Sequence, residues 1–188
     1  TQETWFKVQG SLPFCNGSAY NGVSPTLAML KRFYTENGLP IDADPAFPKG
    51  NSIYESTTLG EENASIGDPE AQTIRFNLNR EPRFYAWVAF QGGFYEILSA
   101  TDGNGAYDAD ASYQKYNLAV NQGKLVCDFV IGGNTSRQPE GSTLRTNNYS
   151  PTGYLNKKGV VPGYSVRTSL YYPPFYPWPV IRLAELYL

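Results

Sequence analysis

Residues 83–99, RFYAWVAFQGGFYEILS, carry the strongest β signal in the chain, two aromatic and β-rich runs joined by Gly92-Gly93. A glycine pair can supply the positive φ of a two-residue turn, so the stretch predicts a β-hairpin. On its C-terminal side, Lys124 to Ile131 lies between Gly123 and Gly132, with Leu125, Cys127 and Phe129 alternating against Asp128. That alternation predicts a further strand. Between the two, TDGNGAYDAD (101–110) reads as surface loop. On the N-terminal side, Ser24 can cap and Pro25 suits a first helical position. Leu27, Leu30 and Tyr34 recur at helical spacing and Gly38 can end the run, which predicts a helix. Residues 1–23 read as irregular loop. Leu39 to Asn79 reads as loop with one extended stretch at Thr73 to Leu78. The last segment, YPWPVIRLAELYL (176–188), becomes helix-like through Leu183 to Leu188 and shows no terminating glycine or basic turn. So short an apolar helix needs packing partners. The expectation is a chain cut in mid-helix, whose continuation completes the core.

Composition narrows the function classes. The chain has 188 residues, enough for one core. Its 15 basic and 17 acidic side chains give a net charge of −2, which offers no footprint for nucleic acid or an anionic membrane. Histidine is absent, which removes Ser-His-Asp and Cys-His nucleophile systems and any metal site needing imidazole. No metal and no cofactor are expected. Cys15 and Cys127 fit no zinc spacing and are either a long-range disulfide or two buried thiols; buried thiols are favoured because free Cys is among the most buried residue types. No run of about 18 apolar residues occurs, and Thr1 does not open a signal peptide.

Asp102, Asn104, Asp108 and Asp110 resemble a calcium loop in kind, but Tyr107 stands where an EF-hand needs glycine, and a solvated turn is the better reading. The carboxylates are scattered and give no local glycosidase signature. Four Asn-x-Ser sequons, at Asn16, Asn63, Asn134 and Asn148, are read as chance in a chain rich in Asn and Ser. Rings are the more pointed feature, because aromatic residues make up 15% and many sit in Gly- and Asn-rich loops. Sugar rings present apolar C–H faces that stack on Trp and Tyr while their hydroxyls pair with polar side chains. Trp5, Tyr20, Tyr54, Tyr107, Tyr113 and Tyr116 are the candidate glycan contacts. Trp87 is expected to be buried in the hairpin, and Trp178, between Pro177 and Pro179, to pack against the rest of the protein.

Four segments, spread over residues 24–188, carry a family resemblance: SPTLAMLKRFYTENGLPI (24–41), NREPRFYAWV (79–88), PTGYLNKKGV (151–160) and PWPVIRLAELYL (177–188). In this order they resemble the SusD/RagB family of Bacteroidetes outer-membrane lipoproteins. The resemblance implies a surface-exposed, non-catalytic glycan-binding protein that passes oligosaccharide to a SusC-like TonB-dependent transporter. It also implies an α+β, loop-rich region with a β-hairpin, packed on an α-helical tetratricopeptide-like superhelix that is absent from this chain. Residues 1–188 would be part of one SusD-like C-terminal region, with the helical N-terminal half and the lipid anchor outside it. Arg80, Pro82, Arg83 and Phe84 would hold the hairpin to the body of the protein, and Arg182 and Glu185 would hold the helical half. A structural or adhesive role toward another protein, and a glycosidase accessory domain, are the alternative readings.

Overall fold

Pro82 decides what the ring-rich run becomes. The computed structural model describes residues 24–96, 124–133, 135, 136, 138, 141, 144 and 149–158. Within them the chain forms α1 (Leu27–Leu30), β1 (Ser56–Thr58), β2 (Gln72–Ile74), α2 (Pro82–Trp87), β3 (Val88–Ala89), β4 (Phe94–Glu96), β5 (Lys124–Val126) and β6 (Leu155–Asn156). Single 3-10 turns occupy Gly50–Tyr54, Glu61–Asn63 and Arg75–Asn77. The strands pair antiparallel as β1–β2, β3–β6 and β4–β5. Short helices, short strands and long loops make the described part an α+β, loop-rich fold.

The expected hairpin does not form. Pro82 takes the first helical position behind Glu81, where its fixed φ and missing N–H fit a helix start. Burial then follows a helical face: Phe84 and Val88 are buried, Tyr85 and Trp87 half-buried, Arg83 and Ala86 exposed. Only Val88 and Ala89 remain to form a strand. The turn that follows is closed by Gly93 N–H donating to Phe90 O at 3.0 Å, with positive φ (82°) at Gly92 and not at Gln91. This is the type II pattern, which splays the flanking arms instead of matching their twist. The arms therefore take separate partners, Val88 opposite Asn156 and Tyr95 opposite Leu125.

Two further expectations change in the same way. The helix foreseen from Ser24 to Gly38 is one α-turn, capped by Thr26 and not Ser24, with Thr26 Oγ1 accepting from Met29 N–H at 3.2 Å. Leu30 and Phe33 point inward while Leu27 and Tyr34 are each 43% exposed. The backbone beyond α1 is drawn off by pairing with residues 79–81: Glu81 N–H donates to Tyr34 O and Glu36 N–H to Asn79 O. Gly38, at φ 73°, closes the return turn. The strand foreseen over Lys124 to Ile131 stops at Val126, because the Asp128 carboxylate accepts from Val130 N–H at 3.1 Å and offers the backbone a local turn. The extended stretch foreseen at Thr73 to Leu78 is β2 only as far as Ile74, followed by the 3-10 turn. Cys127 is fully buried; Cys15 lies outside the described residues.

The core gathers Leu30, Phe33, Ile41, Phe47, Ile53, Phe76, Phe84, Val88, Phe90 and Tyr154. In its middle is a cation. Arg80 is 2% exposed, and its guanidinium donates to the carbonyls of Phe76 (2.9 Å), Leu30 (2.6 Å) and Phe33 (3.0 Å). It lies 4.5 Å from the Phe84 ring centroid and 4.6 Å from that of Phe76. Burial pulls the guanidinium down to about 10, so it keeps its charge at neutral pH. Beside it the Tyr154 hydroxyl, pushed up to about 12 by burial, donates to Asn77 Oδ1 at 2.8 Å, and Asn77 Nδ2 donates to Thr73 Oγ1 at 3.0 Å. Arg80 and Phe84 are thus structural, as the motif implied, but they anchor a helix. Arg83 is exposed and pairs with Glu81 at 2.7 Å. Replacing Arg80 by Met strips donors from three buried carbonyls and is expected to lower stability by about 3–5 kcal/mol. Arg83→Met, at an exposed pair, is expected to cost about 1 kcal/mol or less. Chemical denaturation of both variants checks this, and equal losses would refute the central role of Arg80.

Asp44 organises the other buried polar group. Its carboxylate accepts from the Thr35 hydroxyl, from Ala46 N–H at 2.9 Å and from Asn37 Nδ2 at 3.0 Å. These hydrogen bonds, the Thr35 hydroxyl first, hold its pKa below the ordinary aspartate range. A carboxyl more acidic folded than unfolded stabilises the fold above its unfolded pKa of about 3.9, and that stability is lost as pH falls through the folded value. Thermal melts between pH 6 and 2.5 are therefore expected to fall more steeply for the native protein than for Asp44→Asn. Parallel curves would show that Asp44 contributes nothing to acid sensitivity.

Candidate functional site

The junction of α2 with β6 builds a recess that presents a tryptophan ring. Trp87 ends α2, and its carbonyl accepts from Lys157 N–H at 2.7 Å. With Val88 opposite Asn156, this lays the 155–158 segment along the end of the helix. Successive side chains of an extended segment leave on opposite sides, and the two lysines part accordingly. Lys157 turns inward, where Nζ donates to Tyr85 O at 3.2 Å and Phe94 O at 3.0 Å. Lys158 turns the other way, and its Nζ stands 4.0 Å from the Trp87 ring centroid. The Lys158 backbone is pinned by Asn156, whose Oδ1 accepts from Lys158 N–H at 3.1 Å and whose Nδ2 donates to Lys158 O at 3.3 Å.

Trp87 is half-buried and held edge-on against Phe33, with ring centroids 6.0 Å apart. Its outer part lines a cavity of about 270 Å³ with Pro25, Met29, Ser24, Asn156 and Lys158. The N-terminal wall is fastened to the C-terminal segment: Thr152 Oγ1 donates to Pro25 O at 3.0 Å, and the Ser24 and Ser150 hydroxyls are 3.0 Å apart. A second cavity of about 390 Å³ lies between Ile66, Tyr85 and Phe94 and is crossed by Lys157, whose ammonium is committed to backbone carbonyls. Among the described residues no carboxylate lines either cavity. Among the described residues no group of three or more His, Cys, Asp or Glu is placed to hold a metal, and no helix is long and apolar enough to cross a membrane.

Of the six rings singled out in the sequence, only Tyr54 falls within the described residues. It ends the 3-10 turn Gly50–Tyr54, is 47% exposed, and lies outside both cavity linings. Trp5, Tyr20, Tyr107, Tyr113 and Tyr116 lie outside the described residues, as do the 101–110 loop, Trp178, Arg182 and Glu185. Trp87 was expected to be buried in a strand, and the structure corrects this: the helical turn set by Pro82 brings it to the edge of the core with one part of the indole facing open space. The Glu-Pro start at 81–82 is the signal that would have found it.

The pattern of the SusD family matches residues 2–188. Two structures of BT4246, a SusD-like protein from Bacteroides, are similar to this chain. One, of the selenomethionine form, has 27% identity and a TM-score of 0.55 over 90% of this chain and 24% of that chain. The other has 28% identity and a TM-score of 0.56 over 90% and 23%. The chain therefore spans about a quarter of the length of BT4246. No match was found among curated proteins. A family pattern that runs almost from end to end shows that this chain belongs to the SusD family.

Proposed function

We propose that this chain is part of a non-catalytic, glycan-binding protein of the outer-membrane surface, held there by a lipid anchor and delivering oligosaccharide to a SusC-like TonB-dependent transporter. The family match over residues 2–188 carries this reading, since glycan capture at the cell surface is what the SusD family is associated with. The site chemistry agrees with it. A half-exposed indole held edge-on by a second ring, beside Pro25 and Met29 and with an amide and an ammonium in the same recess, suits a sugar's apolar face and its polar rim. In this reading the described region is the loop-rich part that packs on a tetratricopeptide-like superhelix. Leu27, Tyr34 and Leu39, 40–43% exposed around α1, give an apolar surface for that contact.

The test is a glycan array on the full-length protein, with hydrolysis of the bound members followed in parallel. Binding without hydrolysis is the expected result. Hydrolysis by the purified protein would overturn the non-catalytic reading, and an array with no bound member would overturn the glycan-binding one. Trp5→Ala and Tyr54→Ala, which remove loop rings, are expected to weaken affinity roughly tenfold to a hundredfold at unchanged melting temperature. Unchanged affinity in both would remove these two rings from the binding surface.

A further inference from the structure

We propose that the Trp87 cavity is a subsite for one anionic sugar ring, whose carboxylate or sulfate pairs with Lys158 while the ring lies against the apolar wall that Trp87 forms with Pro25 and Met29. This deepens the glycan-binding reading and rests on it. Size comes first. At about 270 Å³ the recess is just below the ~300–1,000 Å³ of ordinary ligand pockets, which suits a single ring better than an extended chain. Its surface is divided as a sugar's is. Trp87, Pro25 and Met29 give apolar contact, and Asn156 and Lys158 stand on the polar side.

The choice of an anion follows from charge. Lys158 is exposed and, among the described residues, has no carboxylate within ion-pair distance; the salt bridges there are Arg75–Glu55 and Arg83–Glu81. Its neighbour Lys157 spends its ammonium on two carbonyls in the other cavity, so the two cations have different work. The Asn156 turn pins the Lys158 backbone, and the ammonium stands 4.0 Å from the Trp87 ring centroid. An oxyanion accepting from Nζ would sit about 2.7–2.9 Å from it, beside the ammonium that stands over the indole, with the sugar ring continuing across the wall that Pro25 and Met29 add.

Calorimetric titration of the full-length protein tests this with matched probes. Galacturonate, glucuronate-containing and mannuronate oligosaccharides are each compared with their carboxyl-reduced forms, and sulfated oligosaccharides with their desulfated forms. The expected result is at least one charged probe bound about tenfold tighter than its neutral counterpart. That preference disappears in Lys158→Met, which keeps the aliphatic stem, and survives in Lys158→Arg. Which pair shows it distinguishes carboxylate from sulfate. A preference that persists in Lys158→Met overturns the assignment to this residue. Binding of neutral glycans with no charge preference overturns the anionic subsite and leaves the glycan-binding reading standing. No binding to any glycan overturns both.

Discussion

A guanidinium taken out of water is costly, and the described core is arranged around meeting that cost at Arg80. No carboxylate bonds to it; three backbone carbonyls and two ring faces do the work. Two of the carbonyls, Leu30 and Phe33, belong to the end of α1 and the turn after it, where helix carbonyls lack intrahelical partners. The third, Phe76, lies in the 3-10 turn after β2. One side chain thus joins three stretches of chain that are far apart in sequence. Arginine suits this place because its planar fork donates in several directions while its faces stack on rings, which a lysine's point charge does not do.

The site depends on that anchor through a short mechanical chain. Arg80 N–H donates to the Tyr85 hydroxyl at 3.1 Å, so the residue that fixes the core also fixes the start of α2. Phe84 covers the guanidinium, and Trp87 follows one turn later on the same side of the helix. Where α2 becomes β3, the backbone receives β6 and with it the two lysines. The ring and the ammonium at the cavity are therefore carried by backbone that the core holds rigidly, while the apolar wall comes from residues 24–29.

What the sequence revealed, and what it hid, follows from the range of the forces involved. The burial of Cys127 was legible from residue type, and the α+β class and the structural role of Arg80 from the resemblance that the NREPRFYAWV motif helps to carry. The hairpin was not. Aromatic and β-branched residues fit a half-buried strand and a buried helical face alike, and the Glu-Pro start at 81–82 outweighs the β preference of the run behind it. Ser24 and Thr26 were equally plausible caps by type; Ser24 is held by Ser150, a partner 126 residues away that no local pattern announces. Tyr34 had the spacing of a core residue, but Phe33 was taken inward by contact with Phe84 and Trp87. Tyr54 was rightly read as an exposed ring. The pairing of Trp87 with Lys158 depends on the β3–β6 register, a contact between residues some 70 positions apart.

Local rules that a fold breaks without repair point to something outside the fold. Arg80 breaks the rule against buried charge, and its two terminal nitrogens are met within the molecule by carbonyls and its faces by rings, with Nε left without a hydrogen bond among the described residues. Lys157 is repaired in the same way, by two carbonyls. At the Trp87 cavity the described structure offers no such repair. The Trp87 indole leaves part of itself open, and the Lys158 ammonium stands over the ring on a backbone pinned by an asparagine turn. Neither arrangement adds much to stability: an exposed cation–π contact contributes only about 0.5–1 kcal/mol, and closing the cavity with aliphatic side chains would bury more apolar surface. Under the proposed reading, shape and charge kept where stability gains little suit a surface that meets a ligand, and here they meet on the face that β6 lays against α2.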